Sequence, residues 1–180
     1  ALDLPLMHTA YKMWVNGELV SENGIVGTSR GSSKPQYLPK TPVIKTTRDS
    51  LDVVLQISNY HHNNGGIWHG FKLGKSSEII LSSQMRTAFD LFLLGAIFIM
   101  GLYHFALYAL RRKEVSPLFF GLFCIVISFR ISIHGSTIFS VIFPNASWEV
   151  LVKLDYFTLY LGLTYFLSFI RWFYNLEFSK

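Results

Sequence analysis

Two patterns divide the chain. From Ala1 to Arg86, short runs that alternate large apolar and polar residues are separated by Gly, Asn, Ser and Pro. From Thr87 onward apolar residues run almost unbroken. The first pattern has the two-residue period of strands with one face buried, and the second has the length and apolarity that lipid demands. The expectation is a β domain over residues 1–86 and a transmembrane domain over 87–180.

Within the first segment, Tyr11-Lys12-Met13-Trp14-Val15 alternates and ends at Asn16-Gly17. That dipeptide supplies the positive φ angles of a type I′ hairpin turn, so Glu18-Leu19-Val20 is predicted to return beside it. Leu51 to Tyr60 is the strongest strand signal, and Ile67 to Leu73 is read as a further short strand. The residues from Ile25 to Tyr37, rich in Gly and Ser, read as loop. The pattern predicts an antiparallel β-sandwich, jelly-roll-like, of about five strands. A jelly roll usually holds about eight, so the domain reads as truncated at its N-terminus.

Three apolar stretches follow, predicted as helices near 88–111, 117–139 and 148–173. None has a continuous polar face, which excludes an amphipathic helix of a soluble bundle. Ser116-Pro117 is placed to cap and start the second, and Ser147 with Glu149 to start the third. The expected fold is therefore a membrane protein, a truncated sandwich followed by a three-helix transmembrane bundle.

Composition sharpens this picture. Hydrophobic residues make up 51% and charged residues 15% of the 180, and the deficit of charge falls in the second half. The net charge of +5 comes from scattered basic residues, with one run at Arg111-Arg112-Lys113, so no nucleic-acid surface is expected. That run lies between the first two spans, and Arg171 and Lys180 follow the third, while Pro144 to Glu149 has no Lys or Arg. The positive-inside rule then places the 111–116 loop and the C-terminus in the cytoplasm and the β domain outside a cell's inner membrane.

Chemistry-bearing residues are few. Ionisable residues inside lipid are costly and mark functional positions. Arg130 falls about twelve residues into the second span, roughly 18 Å from its cytoplasmic end. Asp90 and Asp155 lie near the outer ends of the first and third spans, at similar depth. The expected pair is Arg130 with Asp155, Asp90 being the second choice, and His134 shares the helical face of Arg130. The alternative is that Arg130 only snorkels or locks the helices. His104 is expected to pack or bond between helices.

His8, His61, His62 and His69 match no metal-site spacing, and no nucleophile–base arrangement is visible, so no metal, no cofactor and no catalytic residue are expected. Trp14, Tyr37, Tyr60 and Trp68 could stack on sugar rings, although aromatics in a small sandwich are more often core. Cys124, alone in an apolar stretch, reads as packing.

Longer stretches of the sequence resemble a known family. HTAYKMWVNGELVSENGIVGTS, PQYLPK, LQISNYHHNNGGIW and FKLG resemble the extracellular jelly roll of bacterial seven-transmembrane receptors with diverse intracellular signalling modules. LFLLGAIFIMGLYHFALYALRRKEVSPLFFGLFCIVISFRISIHG and PNASWEVLVKLDYFTLYLG are similar to the opening three helices of the same family. The resemblance implies a carbohydrate-binding-like outer domain, seven spans and a cytoplasmic kinase, cyclase or phosphatase module. By that pattern the chain is a fragment, with strands expected before Ala1 and four helices and the output module after Lys180.

The functional expectation is signal reception, with the lipid bilayer, a small molecule or saccharide and a second copy of the chain as partners. A transporter or channel component, or a membrane-tethered binding protein, is the alternative. An enzyme within these residues is not expected.

Overall fold

A computed structural model describes residues 1–4, 7–44, 50–63, 65–67, 70–134, 138–144 and 146–174. Trp68 and His69 lie outside the described residues. Two compact units divide the chain, one of Ala1–Arg86 with Ser140–Trp148, the other of Thr87–Phe139 with Glu149–Lys180.

Among its described residues, the first unit holds two small antiparallel sheets. Strand β1 (Leu2–Asp3) pairs with β5 (Lys72–Leu73), and β2 (Ala10–Val15) lies between β3 (Glu18–Asn23) and β4 (Val53–Ser58). The β2–β3 connection is the expected hairpin. Asn16 and Gly17 have φ of 53° and 85°, the two positive angles of a type I′ turn. The register slips between Met13 and Trp14, a bulge that opposes Met13 to Ser21 and Trp14 to Leu19.

Alternation on β2 separates two faces. Tyr11, Met13 and Val15 are buried with Leu2, Leu4 and Met7, and Val20, Ile44, Leu51, Leu55 and Ile57 pack against them. Lys12 and Trp14 point the other way and are half-buried. Burial pushes the pKa of the Tyr11 phenol above its ordinary value, and its hydrogen bond with Ser21 Oγ at 3.3 Å partly offsets this. Of the strand expected over Ile67 to Leu73, the described residues form β5 at Lys72–Leu73, while Trp68 and His69 lie outside them. Gly66, with φ of 97°, and Gly70 leave little before it that favours extended pairing.

Among the described residues, three helices are long and apolar enough to cross a membrane: α1 (Ser76–Leu110), α2 (Ser116–Ile133) and α4 (Trp148–Tyr174). A short helix, α3 (Ile138–Ile142), lies between the last two. Helix α1 starts twelve residues before the expected position near 88. Ser76-Ser77-Glu78 provides a polar first turn with an acidic side chain, and no Gly or Pro follows until Gly95. Its 35 residues span about 52 Å, more than the roughly 30 Å of a bilayer core. The residues up to Arg86 belong to the first unit, where Arg86 pairs with Asp3 at 2.8 Å.

Helix α2 differs at both ends from the expected 117–139. Val115, already in helical conformation, takes the cap position, and its carbonyl accepts from the N–H groups of Leu118 and Phe119. Ser116 is thus inside the helix and makes no cap. At the other end His134 turns extended with ψ of 170°, and residues 135–137 of the expected helix lie outside the described residues.

Glycines set the helix crossing in the second unit. A side chain on Gly121 would meet Phe105 at 2.8 Å and the Gly101 carbonyl at 3.2 Å, and one on Gly101 would meet Cβ of Cys124 at 3.2 Å. Small residues at this contact let α1 and α2 approach closely, the usual way helices gain packing in lipid.

Candidate functional site

Helices α2 and α4 place the intramembrane charges. Arg130 sits three residues from the end of α2, and Asp155 is seven residues into α4. The Arg130 guanidinium lies 2.9 Å from the Asp155 carboxylate and also donates to the Asp155 carbonyl at 2.5 Å. The buried Thr158 hydroxyl donates to that same carbonyl at 2.9 Å and lies 3.5 Å from the guanidinium. His134 Nδ1 stands 3.5 Å from the same carboxylate oxygen, on a ring that is more than half exposed.

The structure therefore brings Arg130, Asp155 and His134 together. The side chains of the ion pair are only 22% and 18% exposed, which weakens screening of the pair. Asp90 is half-buried on α1. Thr158 carries no charge, so nothing in the sequence marks it as strongly as its neighbours. Its spacing of three from Asp155 on one helix face is the signal that points to it. Farther along the helices, His104 Nδ1 bonds the Met100 carbonyl at 2.8 Å, and its ring packs on Phe120, which packs on Phe169.

The candidate ligand-stacking residues are dispersed in the first unit. Trp14 is on the sheet face opposite the core, and Tyr60 is 45% exposed just beyond β4. Tyr37 is buried and stacks on His8, with ring centroids 4.5 Å apart. An open groove of about 450 Å³ lies along β3, lined by Leu19, Val20, Ser21, Glu22, Lys40, Thr41 and Pro42. The Lys40 ammonium donates to the Glu22 carbonyl there. None of Trp14, Tyr37 and Tyr60 lines this groove. Among the described residues no group of three or more His, Cys, Asp or Glu is placed to hold a metal ion.

A family model described as 7TM diverse intracellular signalling matches residues 86–180, that is 95 of the 180. The chain belongs to this family. The matched stretch carries all three long apolar helices except the first turns of α1, and it contains Asp90, Arg130, His134, Asp155 and Thr158. With three spans and this membership, it is a multi-pass membrane protein of a signalling family. No curated protein and no solved structure matches the chain.

Proposed function

We propose that this chain is the sensing segment of a transmembrane receptor. In this reading the first unit, a jelly-roll-like domain outside the inner membrane, binds a small molecule of the saccharide class. The helices relay occupancy to an intracellular signalling module, and a second copy of the chain completes the receptor. The chain itself performs no catalysis. The cytoplasmic assignment of the 111–116 loop rests on Arg111, Arg112 and Lys113 against the absence of Lys and Arg from 144–149.

The observation that carries the reading is the Arg130–Asp155 pair within a stretch that belongs to a signalling family. Arg130 and Asp155 come from different helices, and a paired charge in lipid favours one arrangement of those helices strongly over others. A ligand shifts such an equilibrium by the difference in its affinity for the two arrangements. The chain passes between the two units at Arg86 within α1, at Phe139 within α3 and at Trp148, the first residue of α4, so a change in the first unit is joined covalently to α1 and α4. The amphiphilic rings of Trp14 and Tyr60 and the groove along β3 offer the apolar-plus-polar surface that sugar rings require.

The test uses the full chain in lipid nanodiscs against a panel of mono- and oligosaccharides. Spin labels at Phe129→Cys and Phe157→Cys, in a Cys124→Ser background, report the α2–α4 distance. Hydrogen exchange reports protection of the first unit. The expected result is a binder that protects the first unit and changes the label distance, the latter change lost in Asp155→Asn. A panel with no binder overturns the saccharide class. A binder that leaves the distance unchanged overturns the relay and makes the chain a membrane-tethered binding protein.

A further inference from the structure

The second unit matches its cations with carboxylates at one end and leaves them unmatched at the other. From Thr87 onward the described cations are Arg111, Arg112, Lys113, Arg130, Lys153 and Arg171. Arg130 pairs with Asp155 at 2.9 Å and Lys153 with Glu149 at 2.6 Å, where α2 ends and α4 begins. At the opposite end Arg111 has a carboxylate, Glu114, at 3.7 Å. Among the described residues no ion pair holds Arg112, Lys113 or Arg171, and all three are exposed.

Ring contacts show that these cations share one end of the bundle. His104 of α1 packs on Phe120 of α2 with centroids 4.4 Å apart, and Phe120 packs on Phe169 of α4 at 4.9 Å. Helix α4 runs antiparallel to α2, since Arg130 late in α2 meets Asp155 early in α4 while Phe120 meets Phe169. Beyond this layer of rings, Arg111 follows His104 by seven residues, Arg171 follows Phe169 by two, and α2 starts four before Phe120. At 1.5 Å per residue all three lie within about 10 Å of the layer, on the same side. Val115 gives α2 no side-chain cap bond, so the positive end of that helix adds to the same region.

We propose that this end of the bundle is a binding surface for an anionic phospholipid of the surrounding bilayer, whose phosphate is held by Arg112, Lys113 and Arg171. The neighbouring apolar side chains select a lipid over a dissolved anion. Leu110, 82% exposed, and Trp172, 45% exposed, stand next in sequence to these cations and offer the surface that an acyl chain covers. Tryptophan at the end of a span belongs at headgroup level, and long basic side chains there lay their stems on apolar surface while the charge reaches the headgroups. Charge selects the headgroup. Three unmatched cations, beside one carboxylate already engaged with Arg111, attract a lipid of net negative charge and gain little from a zwitterion. The surface is independent of saccharide reception and of the side of the membrane that this end faces.

The test places the full chain in nanodiscs of phosphatidylcholine with a minor share of phosphatidylglycerol, and native mass spectrometry counts the lipids that the released protein retains. The expected result is phosphatidylglycerol retained at about tenfold or more above its share of the bilayer. The Arg112→Gln, Lys113→Gln, Arg171→Gln triple variant should fall to that share. Lys153→Gln, which removes a matched cation at the other end, should leave the enrichment unchanged. Glu114→Gln frees Arg111 and should raise it, a gain that misfolding cannot imitate and that decides the matter if the triple variant loses its helix signal in circular dichroism. No enrichment in the native chain, enrichment that persists in a folded triple variant, an equal loss in Lys153→Gln, or no gain in Glu114→Gln overturns the proposal. Displacement of the retained lipid by inorganic phosphate also overturns it, because the site would then hold a dissolved anion.

Discussion

Replacing Asp155 by Asn removes the charge opposite Arg130 while keeping the side-chain volume. At 2.9 Å and an effective dielectric constant of about 20, the gross attraction is about 6 kcal/mol. Desolvation of both groups cancels most of that. Three structural facts fix the remainder. Arg130 keeps its bond to the Asp155 backbone carbonyl, which the substitution leaves in place. It also keeps the nearby Thr158 hydroxyl. It stands three residues from the end of α2, and a charge toward the end of a span costs less than one at mid-bilayer. The expected loss is therefore about 2 kcal/mol, below the roughly 3–5 kcal/mol of a fully buried pair. The assay is reversible unfolding of the full chain in lipid–detergent micelles, followed by circular dichroism. A cycle of Arg130→Gln, Asp155→Asn and the double variant should give a coupling of about 1.5 kcal/mol, near the top of the range for polar contacts between membrane helices. Coupling within about 0.5 kcal/mol of zero would refute the pairing as an energetic link. Arg130→Asp should likewise be rescued by Asp155→Arg, and failure of that rescue would count against the pairing equally.

Three further outcomes follow from local geometry. Gly121→Leu should cost about 1–3 kcal/mol in the same micelle assay because its Cβ meets Phe105 and the Gly101 carbonyl, whereas Gly95→Leu, with open space around it, should change stability by less than about 0.5 kcal/mol. Gly17→Val should cost about 1–2 kcal/mol, since a β-branched residue resists a φ of 85°, and the thermal midpoint of the near-ultraviolet signal should fall accordingly. Tyr11, whose phenol burial holds above its usual value, contributes stability that is complete below about pH 10 and lost as the pH rises further. Tyr11→Phe should flatten that alkaline limb in a pH series of unfolding midpoints.

What the sequence made legible was local or periodic. The hairpin followed from Asn16-Gly17 alone, because few dipeptides tolerate two positive φ angles in succession. The three spans followed from length and apolarity, and the Arg130–Asp155 pairing from opposite charges at matching depth. Helix ends were less legible. The start of α1 at Ser76 hides in a polar stretch whose helicity comes from the absence of breakers and from contacts such as Arg86–Asp3, 83 residues apart. The groove along β3 depends on where residues 40–42 run, which no periodicity encodes. The stacking of His8 on Tyr37 and His62, and of His62 against Trp148, was invisible for the same reason: these residues are separated by loops, strands and the helices α1, α2 and α3, and each alone reads as an ordinary aromatic.

The same geometry weighs against a conduction path as the alternative to the proposed relay. Midplane transport sites are built where spanning helices break and expose backbone carbonyls. Helices α1 and α4 contain no proline, and Pro117 of α2 stands in its first turn, so all three run unbroken through their apolar windows. Arg130 is neutralised locally: its guanidinium meets a carboxylate, a carbonyl and a hydroxyl, all from one turn of α4. An ion that used this position would have to displace Asp155 from a contact of 2.9 Å. Proteoliposomes carrying the full chain should therefore leak protons, sodium and potassium no faster than empty vesicles. Asp155→Asn should not open a path either, because Arg130 retains the α4 carbonyl. A flux that appears in the native chain and disappears in Arg130→Gln would make the pair part of a permeation route and reverse the assignment.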